Sequence, residues 1–169
     1  MIFKPWLIHR TTKAQNINKG LRKSIAYSKA QKLGIIFNTD DHSKIDAVDK
    51  LSTLLKMDGK KVKILAYERQ NSVKHLPYDT FSAVNFGFWG GFIGKPIEDF
   101  VKVEFDFLIC IDEQPNTMIK SILANSIAKC RVGRYEENNE PLFEMLVQNN
   151  KTQNMEWVDS IYHYIKLLA

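Results

Sequence analysis

A strand–helix–strand pattern that occurs twice along the chain constrains the fold more than any other feature. The first copy begins at residues 33–38 ("LGIIFN"), an apolar run with the length of a buried strand. Its helix has Ser43 three residues before Asp46, a spacing typical of a capping box. The helix ends at Gly59, because glycine readily adopts the left-handed backbone conformation that terminates α-helices. Residues 62–67 ("VKILAY") predict the next strand. A unit of this size is typical of a parallel crossover.

The second copy of the pattern spans residues 105–133. Residues 105–112 ("FDFLICID") predict a strand buried on both faces, Pro115 and Asn116 open a helix, and a short strand begins at Cys130 and ends at Gly133. Alternating strands and helices predict a mostly parallel sheet, with helices on both faces because right-handed crossovers place them there. We therefore predict an α/β fold: one three-layer Rossmann-like domain at residues 33–169, preceded by a basic N-terminal arm at residues 1–32.

The N-terminal arm is strongly basic: residues 1–32 contain eight Lys or Arg and no Asp or Glu. Between residues 13 and 32, Ile17, Leu21 and Ile25 recur every four residues, which predicts a helix with a narrow apolar stripe. Two interpretations stay open. In the first, its cations contact RNA, another polyanion or an acidic membrane surface. In the second, the helix docks on an acidic surface of the domain. The candidate polyanion contacts are Lys13, Lys19, Arg22, Lys23 and Lys29.

Residues 86–96 ("FGFWGGFIGKP") hold four of the eight glycines and suggest a phosphate-binding loop. A P-loop ending at Gly94 and Lys95 needs glycine at position 89 and Ser or Thr at position 96, but the chain has Trp89 and Pro96. Trp89 also takes the first glycine position of a dinucleotide-binding fingerprint that ends at Gly94. We therefore predict an aromatic segment with turns at its glycines, which packs on the domain or presents Trp89 and Lys95 to a partner.

Polar side chains follow two of the predicted strands, at the position where open parallel sheets bind ligands. The carboxylates Asp40, Asp41 and Asp112 would suit Mg²⁺, because hard cations prefer carboxylate oxygens. The alternative is that these acids cap helix N-termini and complement the helix dipoles. The candidate cleft residues are Asn38, Thr39, Asp40, Asp41 and His42 after the first strand, and Asp112, Glu113, Gln114 and Asn116 after the later one.

Other functional classes find little support in the sequence. Cys110 and Cys130 fall in predicted buried strands without CxxC spacing, which predicts reduced core thiols. The four histidines are scattered, and there is no G-x-S-x-G elbow. No apolar run approaches the roughly 20 residues that span a bilayer. We therefore expect a cytoplasmic protein without a cofactor, a structural metal or a transmembrane segment, and we leave open whether it is an enzyme.

The pieces "LGIIFN", "FWGGFIGKP" and "FDFLICIDEQPNTMIKSILANSIAKCRVG" together resemble an uncharacterised bacterial family of domain-of-unknown-function proteins of about this length. The likeness covers most of the chain and implies no activity. Residues 105–133 are also similar to the N-terminal Rossmann-like half of heptosyltransferase-type glycosyltransferases, in which a strand ending in Asp precedes a helix and a strand. This similarity implies the fold alone, because the chain lacks the second, nucleotide-sugar-binding domain and has Asn38 to Asp41 in place of the glycine-and-acid loop.

Two functional hypotheses follow. The first is a non-catalytic binding or adaptor protein that uses the basic N-terminal helix, and the Trp89 segment, as contact surfaces. The alternative is a small ligand-binding domain or enzyme with an acidic, Mg²⁺-dependent site at the carboxyl ends of the parallel strands. A homodimer formed through the arm or an edge strand is a third hypothesis.

Overall fold

The computed structural model describes residues 4–69, 76–136, 142–148 and 153–168. Its elements in chain order are α1 (Lys4–Asn18), β1 (Lys32–Asn38), α2 (His42–Met57), β2 (Lys61–Tyr67), β3 (Asp79–Phe81), α3 (Lys95–Val101), β4 (Phe107–Cys110), α4 (Thr117–Asn125), β5 (Cys130–Arg134), β6 (Met145–Val147) and α5 (Asn154–Lys166). The strands form one parallel sheet in the order β3-β2-β1-β4-β5-β6. The predicted Rossmann-like α/β class is therefore confirmed. The strand order reverses between β1 and β4, which makes that boundary the topological switch point.

Strand β1 lies at the centre of the sheet and contributes to a core on each of its faces. Leu33, Ile35 and Phe37 pack in the cluster that contains α2 and α5, whereas Ile36 packs in the cluster that contains α3 and α4. Each such side chain contributes roughly 1.5–3 kcal/mol when fully buried. Gly34 interrupts the apolar run because a Cβ there would lie 2.8 Å from Leu108 Cδ1.

Helix α2 forms where the sequence predicts it, but its N-terminus is capped differently. The predicted capping box of Ser43 and Asp46 is wrong, because Asp41 is the N-cap and its Oδ1 accepts the Ser43 N–H at 2.8 Å. The predicted terminator is confirmed, since Gly59 has a φ of 76° directly after the helix. The buried face of α2 comprises Ala47, Val48, Leu51, Ser52 and Leu55.

The predicted helix over residues 13–32 is wrong in extent. Helix α1 ends at Asn18 and is followed by a short 3₁₀ turn and an extended segment, so the expected stripe does not form and Ile17 is 69% exposed. The physical reason is that the segment after Gly20 bonds to the domain instead of to itself. The Lys23 N–H donates to the Lys129 carbonyl at 3.0 Å, and the Tyr27 N–H donates to the Leu168 carbonyl at 3.0 Å.

Several other boundaries differ from the predictions. The sequence predicts a short strand at residues 81–86 and part of a helix at residues 97–103. The structure has β3, which ends at Phe81, and α3, which begins at Lys95. The apolar residues 142–147 predict an edge strand or a helical turn, and they contain the edge strand β6. Strand β5 does not end at Gly133, which is glycine because a Cβ would lie 2.6 Å from the ring of Phe143. Part of the predicted loop at residues 68–79 lies outside the described residues.

The two cysteines are free and buried, as expected for core thiols. Burial raises the pKa of the Cys130 thiol to about 12, and it also raises the pKa of the Cys110 thiol well above its usual value. Among the described residues, no helix combines the length and the hydropathy required to cross a membrane.

Candidate functional site

The switch point carries a polar cleft of about 350 Å³. The chain leaves β1 toward α2 on one face of the sheet and leaves β4 toward α4 on the other, so the two strand ends diverge and open a crevice. We call this feature the strand-end cleft. Its lining residues are Asn38, Asp40, Asp41, Lys44, Asp112, Glu113, Gln114, Arg134 and Asn154.

Lys44 stands at the centre of the strand-end cleft. Its Nζ lies 2.7 Å from Asp112 Oδ1 and 2.8 Å from Asp40 Oδ1. The second Asp112 oxygen accepts the Asn38 N–H at 2.9 Å. Lys44 lies in the first turn of α2, and it reaches Asp40, four residues earlier and just before the helix. The ammonium group therefore occupies the space between the two carboxylates, where a bound Mg²⁺ would otherwise lie.

Burial and pairing shift the ionisation of Asp112 and Lys44. Burial raises the pKa of Asp112, and the Lys44 ammonium and the Asn38 N–H offset this only in part. Burial lowers the pKa of Lys44, but the bonds to Asp112 and Asp40 outweigh it, so the net shift is upward. Burial outweighs pairing for Asp112 but not for Lys44, because the Asp112 side chain is only 4% exposed and that of Lys44 is 16% exposed. Lys44 is therefore an ammonium group at neutral pH.

Asp41 performs a structural role at the edge of the strand-end cleft. Besides capping α2, its Oδ2 accepts the Ser43 hydroxyl at 2.8 Å and the Asn154 Nδ2 at 3.0 Å. The bonds from Ser43 lower the pKa of Asp41. The sequence predicts Asn154 as the N-cap of a C-terminal helix, because asparagine is common at that position. This prediction is wrong, because Gln153 is the N-cap of α5 and the Asn154 amide donates to Asp41 and Ser43. This contact joins the N-termini of α5 and α2.

Arg134, at the end of β5, forms another wall of the strand-end cleft. Its NH1 lies 3.6 Å from Glu113 Oε2, and its guanidinium lies 5.5 Å from the centre of the Trp157 ring. Trp157 is held in turn by its Nε1, which donates to the Ile111 carbonyl at 3.3 Å. The Arg134 side chain is only 8% exposed, so its position is fixed by packing as well as by charge.

Three of the predicted cleft residues do not line the strand-end cleft: Thr39, His42 and Asn116. Thr39 donates its hydroxyl to the Tyr67 carbonyl at 3.1 Å and so joins the ends of β1 and β2. Asn116 caps α4, where its Oδ1 accepts the N–H groups of Met118 at 3.0 Å and Ile119 at 2.9 Å. Lys44, Arg134 and Asn154 line the cleft but were not predicted from the sequence. Lys44 alone left a local signal, its spacing of four from Asp40.

The candidate polyanion contacts divide into exposed and buried residues. Lys13, Lys19, Lys23 and Lys29 are exposed. Arg22 is not available to a partner, because it donates to the carbonyls of Ala128 and Ser126 and its side chain is only 7% exposed. Burial, with the charge of Arg131, lowers the pKa of Arg22 to about 10. Arg22 therefore attaches the N-terminal segment to the domain.

The glycine-rich segment forms a tight hairpin. The Gly87 N–H donates to the Gly91 carbonyl at 2.8 Å, and Phe86 and Phe92 pair as an antiparallel bridge. Phe86 is buried, whereas Trp89 at the tip is 60% exposed. The segment therefore packs through its base and presents its tip. Lys95 is exposed at the first position of α3.

The fold and the strand-end cleft define a Rossmann-like α/β protein whose switch point is polar and lacks a glycine-rich phosphate loop. A protein-family model described as "Family of unknown function (DUF6913)" matches residues 6–168. The chain belongs to this family, as its resemblance to a family of unknown function predicted. No curated protein and no solved structure matches the chain.

Proposed function

We propose that this protein is a small-molecule-binding domain whose ligand occupies the strand-end cleft and is a polyol or an amine. The observation that carries the proposal is the position of a crevice with a polar lining at the switch point, the part of an open parallel sheet where ligands bind. Its volume of about 350 Å³ lies at the small end of the usual range for ligand sites and suits a molecule of monosaccharide size.

The charges of the strand-end cleft favour a neutral or cationic ligand over a phosphate. Four carboxylates line the cleft against two cations, and each cation already pairs with a carboxylate: Lys44 with Asp112 and Arg134 with Glu113. The Asp41 side chain fills the anion position at the N-terminus of α2, where a phosphate would otherwise bind. A phosphate would have to break these pairs before it gained any contact.

Asp40 offers acceptor oxygens that a ligand can reach, because its side chain is 50% exposed. An ionised carboxylate accepts about four hydrogen bonds, so Asp40 keeps capacity beyond its bonds from Lys44 and Asn38. Hydroxyl and ammonium groups donate to such oxygens, which explains the proposed ligand class.

Thermal-shift measurements on the intact chain test this proposal. The ligand panel contains neutral polyols, amino sugars, polyamines, sugar phosphates and nucleotides, and calorimetry follows for each ligand that raises the Tm. We expect a rise with a polyol or an amine that is lost in Asp40→Asn. The matched control is Asp79→Asn, because Asp79 is also about half exposed and paired with a lysine. A response to phosphorylated ligands alone, or no response from the panel, would overturn the proposal.

The Mg²⁺-dependent alternative receives less support from the same geometry. Lys44 lies between Asp40 and Asp112, and Asp41 is committed to capping α2. Among the described residues, no three His, Cys, Asp or Glu side chains converge as metal ligands. The likeness to heptosyltransferase-type glycosyltransferases supports a fold and not a transferase activity.

The exposed lysines of the N-terminal segment support a second function, contact with an anionic partner. Lys13, Lys19, Lys23 and Lys29 are exposed, and the first acidic residue of the chain is Asp40. Clustered cations of this kind gain affinity by releasing counterions from a polyanion. This supports the adaptor hypothesis, with RNA as one candidate partner. The homodimer hypothesis has less support, because the edge strands β3 and β6 have three residues each.

A further inference from the structure

A second cavity, of about 440 Å³, lies between α1 and the tip of the glycine-rich hairpin. We call it the arm groove. It belongs to the α3 and α4 side of the sheet, because Leu7 of α1 packs in the same cluster as those helices. Its lining residues are His9, Arg10, Lys13, Ala14, Ile17, Trp89 and Asn125.

Helix α1 gives the arm groove a cationic wall. His9, Lys13 and Ile17 are four residues apart, so they follow one another along one face of the helix, and each is exposed. The helix is attached by its other side, where Leu7 is 4% exposed and Asn18 Nδ2 donates to the Ala124 carbonyl at 3.0 Å. Lys13 therefore faces solvent on a helix whose position is fixed.

The hairpin tip gives the arm groove an aromatic wall. Arg10 NH1 donates to the Trp89 carbonyl at 3.1 Å. Gly90 has a φ of 73°, and a Cβ there would lie 3.3 Å from Leu7 Cδ1, so the tip packs directly on α1. Phe88 is 77% exposed and Trp89 is 60% exposed, with their rings 5.1 Å apart and nearly perpendicular. Two aromatic rings thus stand at the edge of a basic groove.

We propose that the arm groove binds single-stranded nucleic acid, with a base stacked on Trp89 and the adjacent phosphate beside Lys13. The proposal rests on the second function above and names its partner. Single strands are recognised by this combination, since cations follow the backbone and an aromatic ring stacks an unpaired base. An acidic peptide would satisfy the cations equally well, but its carboxylates supply no ring to stack on Trp89, which is 60% exposed.

Fluorescence anisotropy of the intact chain with labelled dT15 and rU15, over a series of salt concentrations, tests the proposal. Stacking contributes about 1–3 kcal/mol per base, so we expect Trp89→Ala to weaken binding by about fivefold or more. We expect Lys13→Ala to reduce the slope of log K against log salt by about 0.7, the value for one phosphate contact to a single strand.

Two matched variants on the other face of the sheet serve as controls. Tyr164→Ala removes an aromatic ring that is 44% exposed on α5, and Lys56→Ala removes an exposed cation on α2. We expect both to bind dT15 as the wild type does. An abasic oligomer of the same length separates stacking from charge, and it should bind about as weakly to the wild type as dT15 binds to Trp89→Ala.

The outcomes separate this inference from the function on which it rests. If Lys13→Ala weakens binding but neither Trp89→Ala nor the abasic oligomer does, the groove binds polyanions by charge alone and the stacking proposal is wrong. Tighter binding of a poly-glutamate peptide than of dT15 would replace nucleic acid with an acidic protein partner. Absence of binding to dT15, rU15 and poly-glutamate at low salt would refute both the inference and the second function.

Discussion

Replacing Lys44 by Met tests whether the strand-end cleft is organised around a buried ion pair. Methionine keeps the length and most of the packing of the lysine stem but leaves the Asp112 carboxylate, 4% exposed, without its cation. Removing one partner of a buried pair costs about 3–5 kcal/mol. Because Lys44 is 16% exposed and water reaches the half-exposed Asp40, we expect the lower end, about 3 kcal/mol at pH 7.5.

The pH dependence of the Lys44→Met variant follows from the direction of the Asp112 shift. Burial already raises the pKa of Asp112 in the folded state, so folding favours the protonated carboxyl group. The contribution of Asp112 to stability is therefore present below its unfolded pKa and is lost as the pH rises through its folded pKa. Loss of the ammonium raises this pKa further. The variant should therefore gain stability relative to the wild type as the pH falls from 7.5 to 5.5, because protonation removes the unpaired charge.

Urea denaturation followed by circular dichroism at both pH values measures these effects. The double variant Lys44→Met with Asp112→Asn removes the unpaired charge, and we expect it to recover more than half of the lost free energy of unfolding. The control is Lys50→Met, which breaks an exposed pair with Asp159 and should cost less than about 1 kcal/mol. A cost below about 1 kcal/mol for Lys44→Met, or no recovery in the double variant, would refute the reasoning.

Two further predictions concern the contacts that hold the N-terminal segment and the start of β1. Arg22→Ala should lower the free energy of unfolding by about 2 kcal/mol, because it leaves the Ser126 and Ala128 carbonyls without a donor. The Lys23 N–H should then exchange faster with solvent hydrogen. Unchanged exchange would contradict the attachment of this segment to the domain. Asp106 accepts two backbone N–H groups at the start of β1 and a lysine ammonium, and these bonds outweigh burial and lower its pKa. Its stabilising contribution is therefore present above the unfolded pKa and is lost as the pH falls through the folded pKa. Asp106→Asn should cost about 2 kcal/mol at pH 7 in urea titrations and progressively less below pH 4, and a cost that does not vary with pH would contradict this assignment.

The parts of the fold that were predicted correctly depend on local patterns. Residues 33–67 form β1, α2 and β2 in the expected order, because apolar runs, helical periodicity and the Gly59 terminator are all properties of neighbouring residues. The extent of α1 was not predictable in this way. The segment beyond Gly20 has a helical apolar repeat, but its backbone bonds with residues more than a hundred positions away, such as Lys129. Tertiary hydrogen bonds here override the local periodicity.

The candidate site shows the same division between local and distant information. Asp40 and Asp112 were predicted to approach each other because parallel strands end at one edge of the sheet, and Lys44 lies between them. Arg134 was missed because Gly133 suggested a strand end, although the glycine is there to accommodate the ring of Phe143. Pairings of this kind depend on strand order, which the sequence alone does not specify.

The protein separates its charges into two sites, and this separation makes the two proposed functions experimentally independent. The strand-end cleft has an excess of carboxylates and holds its cations in ion pairs, whereas the described residues that line the arm groove include Arg10 and Lys13 and no Asp or Glu. Added salt should therefore weaken binding in the arm groove steeply, while a neutral polyol in the strand-end cleft should bind with little dependence on salt. If one ligand responded to substitutions in both sites and to salt at both, the assignment of separate ligands to the cleft and the groove would be wrong.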